Sequence, residues 1–478
     1  MDFFNNIKPF ILISYYVFVS VLIFLIIIDN KKPEKSFAYI FLILLFPVIG
    51  ILIYFLLGVQ YHKKRIYTKK RYFNDVYLHT LNDKHQIPVE NLKIGNNIKL
   101  PTLFYNMEQV RFTLENSVKL LINGENKFPV LIDELNKAKI NIHIEYYIFN
   151  DDLIGTQIID ILCKKALEGV AVKMIYDDVG SSISKKNIEN LKKNNVEVYP
   201  YMPVLFSRLA HKANYRNHRK IVIIDNEIGF LGGINISDKY INSKNKNNYW
   251  RDTHLLLKGQ AVMDLQYIFI SDWFFVCQQK IKLNTVLYKG VNKIESNIPT
   301  SVLGSDYSSS NQSIMEAFFG MITNARNEIL ITTPYFLPNE TILNALKITA
   351  KSGVNIKIII PKKPDIKTAY YASQTYLKKL LQSGVEVYYY TKGMMHAKTM
   401  VIDNYICTIG STNMDQRSFN LNAEVNAFII DKGVANEIHA QFNNDLKNTY
   451  KLHIDELNNR KWYVKVVSSI ARLFAPVL

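Results

Sequence analysis

The sequence predicts an α/β protein of two tandem halves that arose by duplication, share one interface and are preceded by an all-α hairpin. Three observations predict it. Short words from the first part of the chain recur in the same order in the second. β-rich runs alternate with amphipathic helical runs in both copies, as layered α/β units require. Two long uncharged apolar runs stand ahead of the repeat. At ~150 residues per domain, 478 residues allow about three units, or a two-fold repeat with an appendage.

The hairpin comes first, over residues 1–61. Phe10 to Ile28 and Phe37 to Leu57 carry no charge, and each is long enough to cross a hydrocarbon core of about 30 Å. The expected spans are therefore about 10–28 and 37–57. A signal peptide would have one shorter apolar region and a cleavage site, so a retained transmembrane hairpin is the better reading, with a buried soluble hairpin as the alternative. Pro47 and Gly50 are tolerable in a membrane helix. Lys63, Lys64, Arg65, Lys69, Lys70 and Arg71 follow the second run with no acid among them. The positive-inside rule then puts both ends of the hairpin, and the rest of the chain, in the cytoplasm, with this cluster against anionic headgroups. Residues 62–125 form a basic juxtamembrane and linker region.

Composition narrows the function classes. The chain is 48% hydrophobic with mean hydropathy near zero, which excludes wholesale disorder. Fourteen Pro and nineteen Gly exclude collagen-like and Pro-rich repeats. A formal charge of +17 suits phosphate, whether in nucleic acid, anionic lipid or a metabolite. Cys163, Cys277 and Cys407 are odd in number and far apart, which argues against a disulfide scaffold or a zinc ribbon.

The first half covers 126–295 and the second 296–455. Strand 140–149, helix 154–168 and strand 170–176 match 328–337, 341–351 and 354–360. The copies culminate in His218-Arg-Lys220 with Asp225, then Gly232-Gly-Ile-Asn235, and in His396-Ala-Lys398 with Asp403, then Gly410-Ser-Thr-Asn413. Both read H-x-K-x4-D followed by G-x-x-N. On a strand, alternate side chains share a face, so each His points with its Lys while Asp225 and Asp403 point away. An imidazole beside an ammonium suits a phosphodiester: nitrogen attacks phosphorus while Lys holds the oxygens. Asp225-Asn226 and Asp403-Asn404 carry hairpin-turn chemistry, so these aspartates are structural supports within the catalytic motifs. Asn235 and Asn413 can donate to phosphate, beside Lys220 and Lys398. Asp252 and Glu424 begin β-rich runs in matched places, where each can orient an imidazole.

The remaining histidines are expected to be inert. His143 reads as core, His62, His79 and His85 as solvated, and His211 and His254 as weak candidates. No His pair or carboxylate cluster has metal-ligand spacing, which implies a metal-free, cofactor-free reaction.

The paired motifs resemble the phospholipase D superfamily, and the wider pattern resembles its bacterial cardiolipin synthases. The words that carry this are the hairpin, Asp177-Asp-Val-Gly180, Asn217 to Asp225, Pro334-Tyr-Phe-Leu-Pro338, Pro361 to Asp365, Met395 to Thr399, Asp415-Gln-Arg-Ser-Phe419 and Leu421-Asn-Ala-Glu424. The resemblance implies two phospholipase D-like α/β/α sandwich halves sharing one active site in a bacterial cell membrane. It also implies transfer of a phosphatidyl group between two phosphatidylglycerols through a phosphohistidine, giving cardiolipin and glycerol, without nucleic acid. By analogy His218 is the nucleophile and His396 the acid and base, although the repeat leaves the reverse assignment open. A membrane phospholipase D using water or another alcohol is the alternative. Oligomeric state is not legible.

Residues 456–478 form an amphipathic C-terminal segment. Trp462, Val466, Ile470, Leu473 and Val477 fall on one helical stripe beside Lys465 and Arg472, and Pro476 ends it. Such a stripe either lies in a membrane interface or docks on the core of the second half.

Overall fold

The computed structural model describes residues 2–28, 33–54, 70, 73, 99–108, 110–203, 215–242, 249–281, 296–307, 311–476 and 478. The described residues up to Tyr54 belong to one compact unit, and those from Lys70 onward to another.

The first unit holds α1 (Asp2–Ile28), α2 (Pro33–Leu45) and α3 (Pro47–Ile53). Val19, Leu22, Ile26, Ile43 and Tyr54 form its small core, while Phe18, Phe24, Phe37, Phe41 and Val48 face outward. The side chains of α1 are described at Phe10 and from Ile13 onward. Among the described residues no helix is long and apolar enough to cross a membrane. The second expected span is not one rod. Phe46 leaves helical geometry at φ −133°, ψ 73°, because the ring of Pro47 crowds the residue before it. The chain then packs back on itself, and a Cβ on Gly50 would lie 2.6 Å from the Ile43 backbone. The end of that span, most of the basic cluster, and His62, His79, His85 and His211 lie outside the described residues. Lys70 is described and corrects the expectation of headgroup contact. It is buried in the second unit, its Nζ 2.5 Å from Asp272 and 2.6 Å from Asp306.

The second unit contains two sheets of like topology. The first has β1 (Asn116–Ile122), β2 (Asn141–Tyr146), β3 (Ala171–Asp177), β4 (Glu197–Tyr201), β6 (Lys220–Ile224), β7 (Ile228–Gly232) and β9 (Thr253–Gly259), in the order β1-β9-β7-β6-β2-β3-β4. Two short strands, β5 (Arg216–Asn217) and β8 (Tyr249–Arg251), stand outside it. The second sheet has β10 (Thr300–Ser305), β11 (Glu328–Thr332), β13 (Asn355–Pro361), β14 (Glu386–Tyr390), β16 (Thr399–Ile402), β17 (Ile406–Gly410), β19 (Asn422–Ile430) and the edge strand β20 (Thr449–Lys451). Its order is β10-β19-β17-β16-β11-β13-β14-β20. Short strands β12 (Phe336–Leu337), β15 (Gly393–Met395) and β18 (Met414–Asp415) pair elsewhere. Apart from β20, the second order repeats the first strand for strand, as the recurring words require.

Helices cover the sheets. In the first half, α5 (Asn123–Lys137), α6 (Leu153–Leu167) and α7 (Lys185–Lys193) bury Leu131, Leu135, Ile158, Leu162 and Leu191 against Ile142, Ile144 and Val222. α8 (Val262–Cys277) packs against β4, β6, β7 and β9. In the second half, α4 (Lys99–Glu108), α9 (Ser313–Asn324), α10 (Glu340–Lys351) and α11 (Lys367–Leu381) build the equivalent core around Ile329, Ile331 and Ile358. α12 (Gln416–Asn420) follows β18, and α13 (Lys432–Leu446) packs against β11, β14, β16, β17 and β19.

The chain ends in α14 (Ile454–Asn458) and α15 (Trp462–Leu473). α15 docks on α11, but with its small residues, Ser468 and Ala471, followed by Ala475. Trp462, Val466, Ile470 and Leu473 of the expected stripe stay exposed, and Val477 lies outside the described residues.

Candidate active site

The two short strand pairs decide the site. β5 runs parallel to the start of β19, with Ala423 opposite Asn217, and the His218 N–H donates to the Ala423 carbonyl at 2.9 Å. β15 runs parallel to β8, with Arg251 opposite Met395, and the His396 N–H donates to the Arg251 carbonyl at 2.7 Å. Each histidine is thus tied to the residue just before the acid of the other half. The side chains follow crosswise. His218 Nδ1 lies 2.9 and 3.0 Å from the two Glu424 oxygens, and His396 Nδ1 lies 2.6 Å from Asp252 Oδ2. Sequence reasoning singled out all four residues but had no basis for this crossing.

An ionised carboxylate only accepts, so Nδ1 of each ring carries the proton and Nε2 keeps its lone pair. Burial pushes His218 and His396 down to about 4, with Lys220 and Lys398 working in the same direction and the carboxylates against it. Burial opposes the charge on Asp252 and Glu424, yet both sit below the usual carboxylate range: His396 and Lys398 act on the first, His218 and Lys220 on the second. Lys220 and Lys398 donate to the carbonyls of His218 and His396, each at 2.6 Å, so each Lys reaches back toward its own His. Burial lowers them to about 7 and about 8. Lys398 adds to the lowering of Lys220, while Glu424 and Asp252 oppose it at both lysines. A phosphodiester would supply a further anion between them.

The other expected site residues take different places. Asp225 faces away, accepting the N–H groups of Lys139 (2.9 Å), Ile140 (2.7 Å) and Asn141 (3.0 Å). Asp403 does the same for Arg326, Asn327 and Glu328 at 2.7–2.9 Å. Both sit at positive φ with the Asn next in the chain (54° and 59°, 50° and 52°), the backbone of a type I′ turn. Asn235 is committed largely to the fold: its carbonyl accepts from Ile148 N–H at 3.1 Å and its amide donates to Tyr240 at 3.0 Å. Asn413 is buried with Oδ1 unpartnered, so the two asparagines are not equivalent.

Sequence reasoning missed several contributors. A Cβ on Gly233 would lie 2.1 Å from Asp252 Oδ1, so only glycine fits there, while its counterpart Ser411 donates to Glu424. The ring of Tyr147 lies 5.0 Å from that of His218, and Trp250 lies 5.0 Å from His396. Behind His218, Asp177 accepts the Asn217 N–H at 3.0 Å, and Arg219 pairs with Asp272, which also holds Lys70. Gly233 and Ser411 fall inside the repeated G-x-x-N words, and Asp177 inside a word that carries the resemblance, but spacing did not mark what they touch. His143 is core, stacked on Phe269 and bonded to Gln266 at 3.0 Å. His254 is buried with neither ring nitrogen partnered.

A family profile described as "Cardiolipin synthase, PLD-like domain" matches residues 131–273 and 318–446, and one described as "Phospholipase_D-nuclease N-terminal" matches 16–58. The chain is 38% identical over 457 residues to "Cardiolipin synthase 2" of Bacillus anthracis, covering 95% of this chain and 88% of that one. It is 37% identical to a cardiolipin synthase of Halalkalibacterium halodurans (97% and 92% covered) and 35% identical to one of Clostridium perfringens (94% and 96%). Among solved structures, a phosphatidylserine synthase of Haemophilus influenzae shares the fold, with a TM-score of 0.62 at 15% identity over 80% of this chain and 100% of that one.

Proposed function

The chain belongs to the cardiolipin synthase family with PLD-like domains, and from that premise we propose how it performs phosphatidyl transfer between two phosphatidylglycerols. One observation carries the reading: two imidazoles, each held by a buried acid of the opposite half, both feel the charges of Lys220 and Lys398.

Phosphatidylglycerol enters with its phosphate between Lys220 and Lys398. The bare Nε2 of His218 attacks phosphorus as the bond to glycerol breaks. His396, protonated in the presence of the anion, gives its proton to the departing glycerol oxygen. Glu424 and Asp252 stabilise the imidazolium forms and keep the rings in register. The terminal hydroxyl of a second phosphatidylglycerol then gives its proton to His396 and attacks the phosphohistidine, which frees His218 and releases cardiolipin. One phosphodiester is exchanged for another, so the step needs no nucleotide.

The outward apolar side chains of α1–α3, the uncharged run Phe10 to Ile28 and the basic residues after Tyr61 support a further part of the proposal. The hairpin holds the enzyme in the bacterial cell membrane, with the catalytic unit on the cytoplasmic side.

Incubating the detergent-solubilised chain with phosphatidylglycerol labelled in its phosphate, followed by thin-layer chromatography, tests the reaction. Cardiolipin is expected, and its loss in His218→Ala and in His396→Ala. Phosphatidic acid as the main product would make the protein a hydrolase.

A further inference from the structure

The exposed side of α15 carries an inference that rests on the proposed lipid transfer. A surface helix normally buries its large apolar residues and shows its small or polar ones. α15 is built the other way round. Ser468, Ala471 and the following Ala475 face α11, while Trp462 is 75% exposed, Leu473 71% and Ile470 52%, with Tyr463, Val466, Val467 and Phe474 also outward. Lys461, Lys465 and Arg472 are exposed along the same helix, and the sequence has no acid after Glu456.

We propose that this face of α15 is a second membrane contact, lying in the interface of an anionic bilayer and holding the second half against its lipid substrate. Charge selects the occupant, because a basic, Trp-bearing apolar face complements a negatively charged lipid surface. Position connects it to the chemistry. Ala471 packs with Leu337, Ala369 and Ala372, and Tyr335 borders that cluster and also the core of the first half. The Tyr335 hydroxyl donates to Asp365, whose charge acts on Lys398. A bilayer seated on α15 would therefore press on the scaffold that borders the phosphate-binding lysine.

Trp462 is its own probe, since the other two tryptophans, Trp250 and Trp273, are buried. The full chain is reconstituted into vesicles of phosphatidylcholine with phosphatidylglycerol brominated on the acyl chain. Fluorescence is compared with Trp462→Phe to isolate the Trp462 signal. Bromine should quench it, and the pair Val466→Asp and Ile470→Asp should abolish quenching. That variant should form cardiolipin several-fold more slowly on bilayers, yet within about two-fold of wild type on short-chain phosphatidylglycerol in micelles. Unquenched Trp462 would overturn the proposal. So would a change in oligomeric state in the variant, which would make the face a contact between copies, or equal loss on both substrates with a lower melting temperature. The inactive His396→Ala chain should be quenched like wild type. Absent quenching therefore counts against α15, whereas quenching without any cardiolipin from wild type counts against the catalytic reading.

Discussion

Glu424→Gln and Asp252→Asn separate the orientation of an imidazole from its presence. A neutral amide can donate to Nδ1 as well as accept from it, so the ring loses its enforced tautomer and its counter-charge. Each change should lower kcat by roughly a hundred- to ten-thousand-fold with little change in melting temperature. Because the acids are crossed, Glu424→Gln should act through His218 and Asp252→Asn through His396. The lysines set the pH response. Their pKa values are depressed to about 7 and about 8, so they are charged below that window and neutral above it. Phosphate affinity is present at the lower pH and lost as pH rises, and kcat/KM should fall through the window. A bound phosphodiester favours the charged lysines, so the fall in kcat should lie at higher pH. Initial rates in micelles at low and saturating phosphatidylglycerol check this, and a kcat/KM that stays flat from about pH 6 to about pH 9 would contradict it.

At the scale of the element, Asp225 and Asp403 show why part of the site was legible. Alternation along a strand and the left-handed turn are local properties, so sequence alone turned these aspartates away from the histidines that share their motif. Asp225→Asn keeps a residue suited to the turn but removes the anionic acceptor of three backbone donors. It should cost about 2–3 kcal/mol of stability, read as a lower melting temperature, with kcat per folded molecule nearly unchanged. His218→Ala should do the reverse. Other elements were not read. The bend at Phe46 has a local cause in Pro47, but the sequence reading tolerates that proline within one straight span. The buried place of Lys70 depends on Asp272 and Asp306, more than 200 positions away, and leaves no trace in local spacing. The C-terminal stripe was legible as a stripe, but its facing was not, because Ser468 and Ala471 allow close packing on α11 that hydropathy does not register.

For the whole molecule, duplication was readable and its consequence was not. The repeat announces two halves with equal strand orders, but not that β5 and β19, or β8 and β15, would pair across them. Those two-residue and three-residue contacts make the halves one enzyme, since neither contains both an imidazole and the acid that orients it. The central claim is that a phosphatidyl group rests covalently on a histidine of this shared site before it moves on. Rapid quenching of the full chain with phosphatidylglycerol radiolabelled in its phosphate, followed by peptide mapping, tests it most directly. An acid-labile phosphate is predicted on the peptide carrying His218, accumulating in His396→Ala, and absent from His218→Ala. Full turnover in either histidine variant, or steady turnover by wild type with no protein-bound phosphate at any quench time, would contradict it.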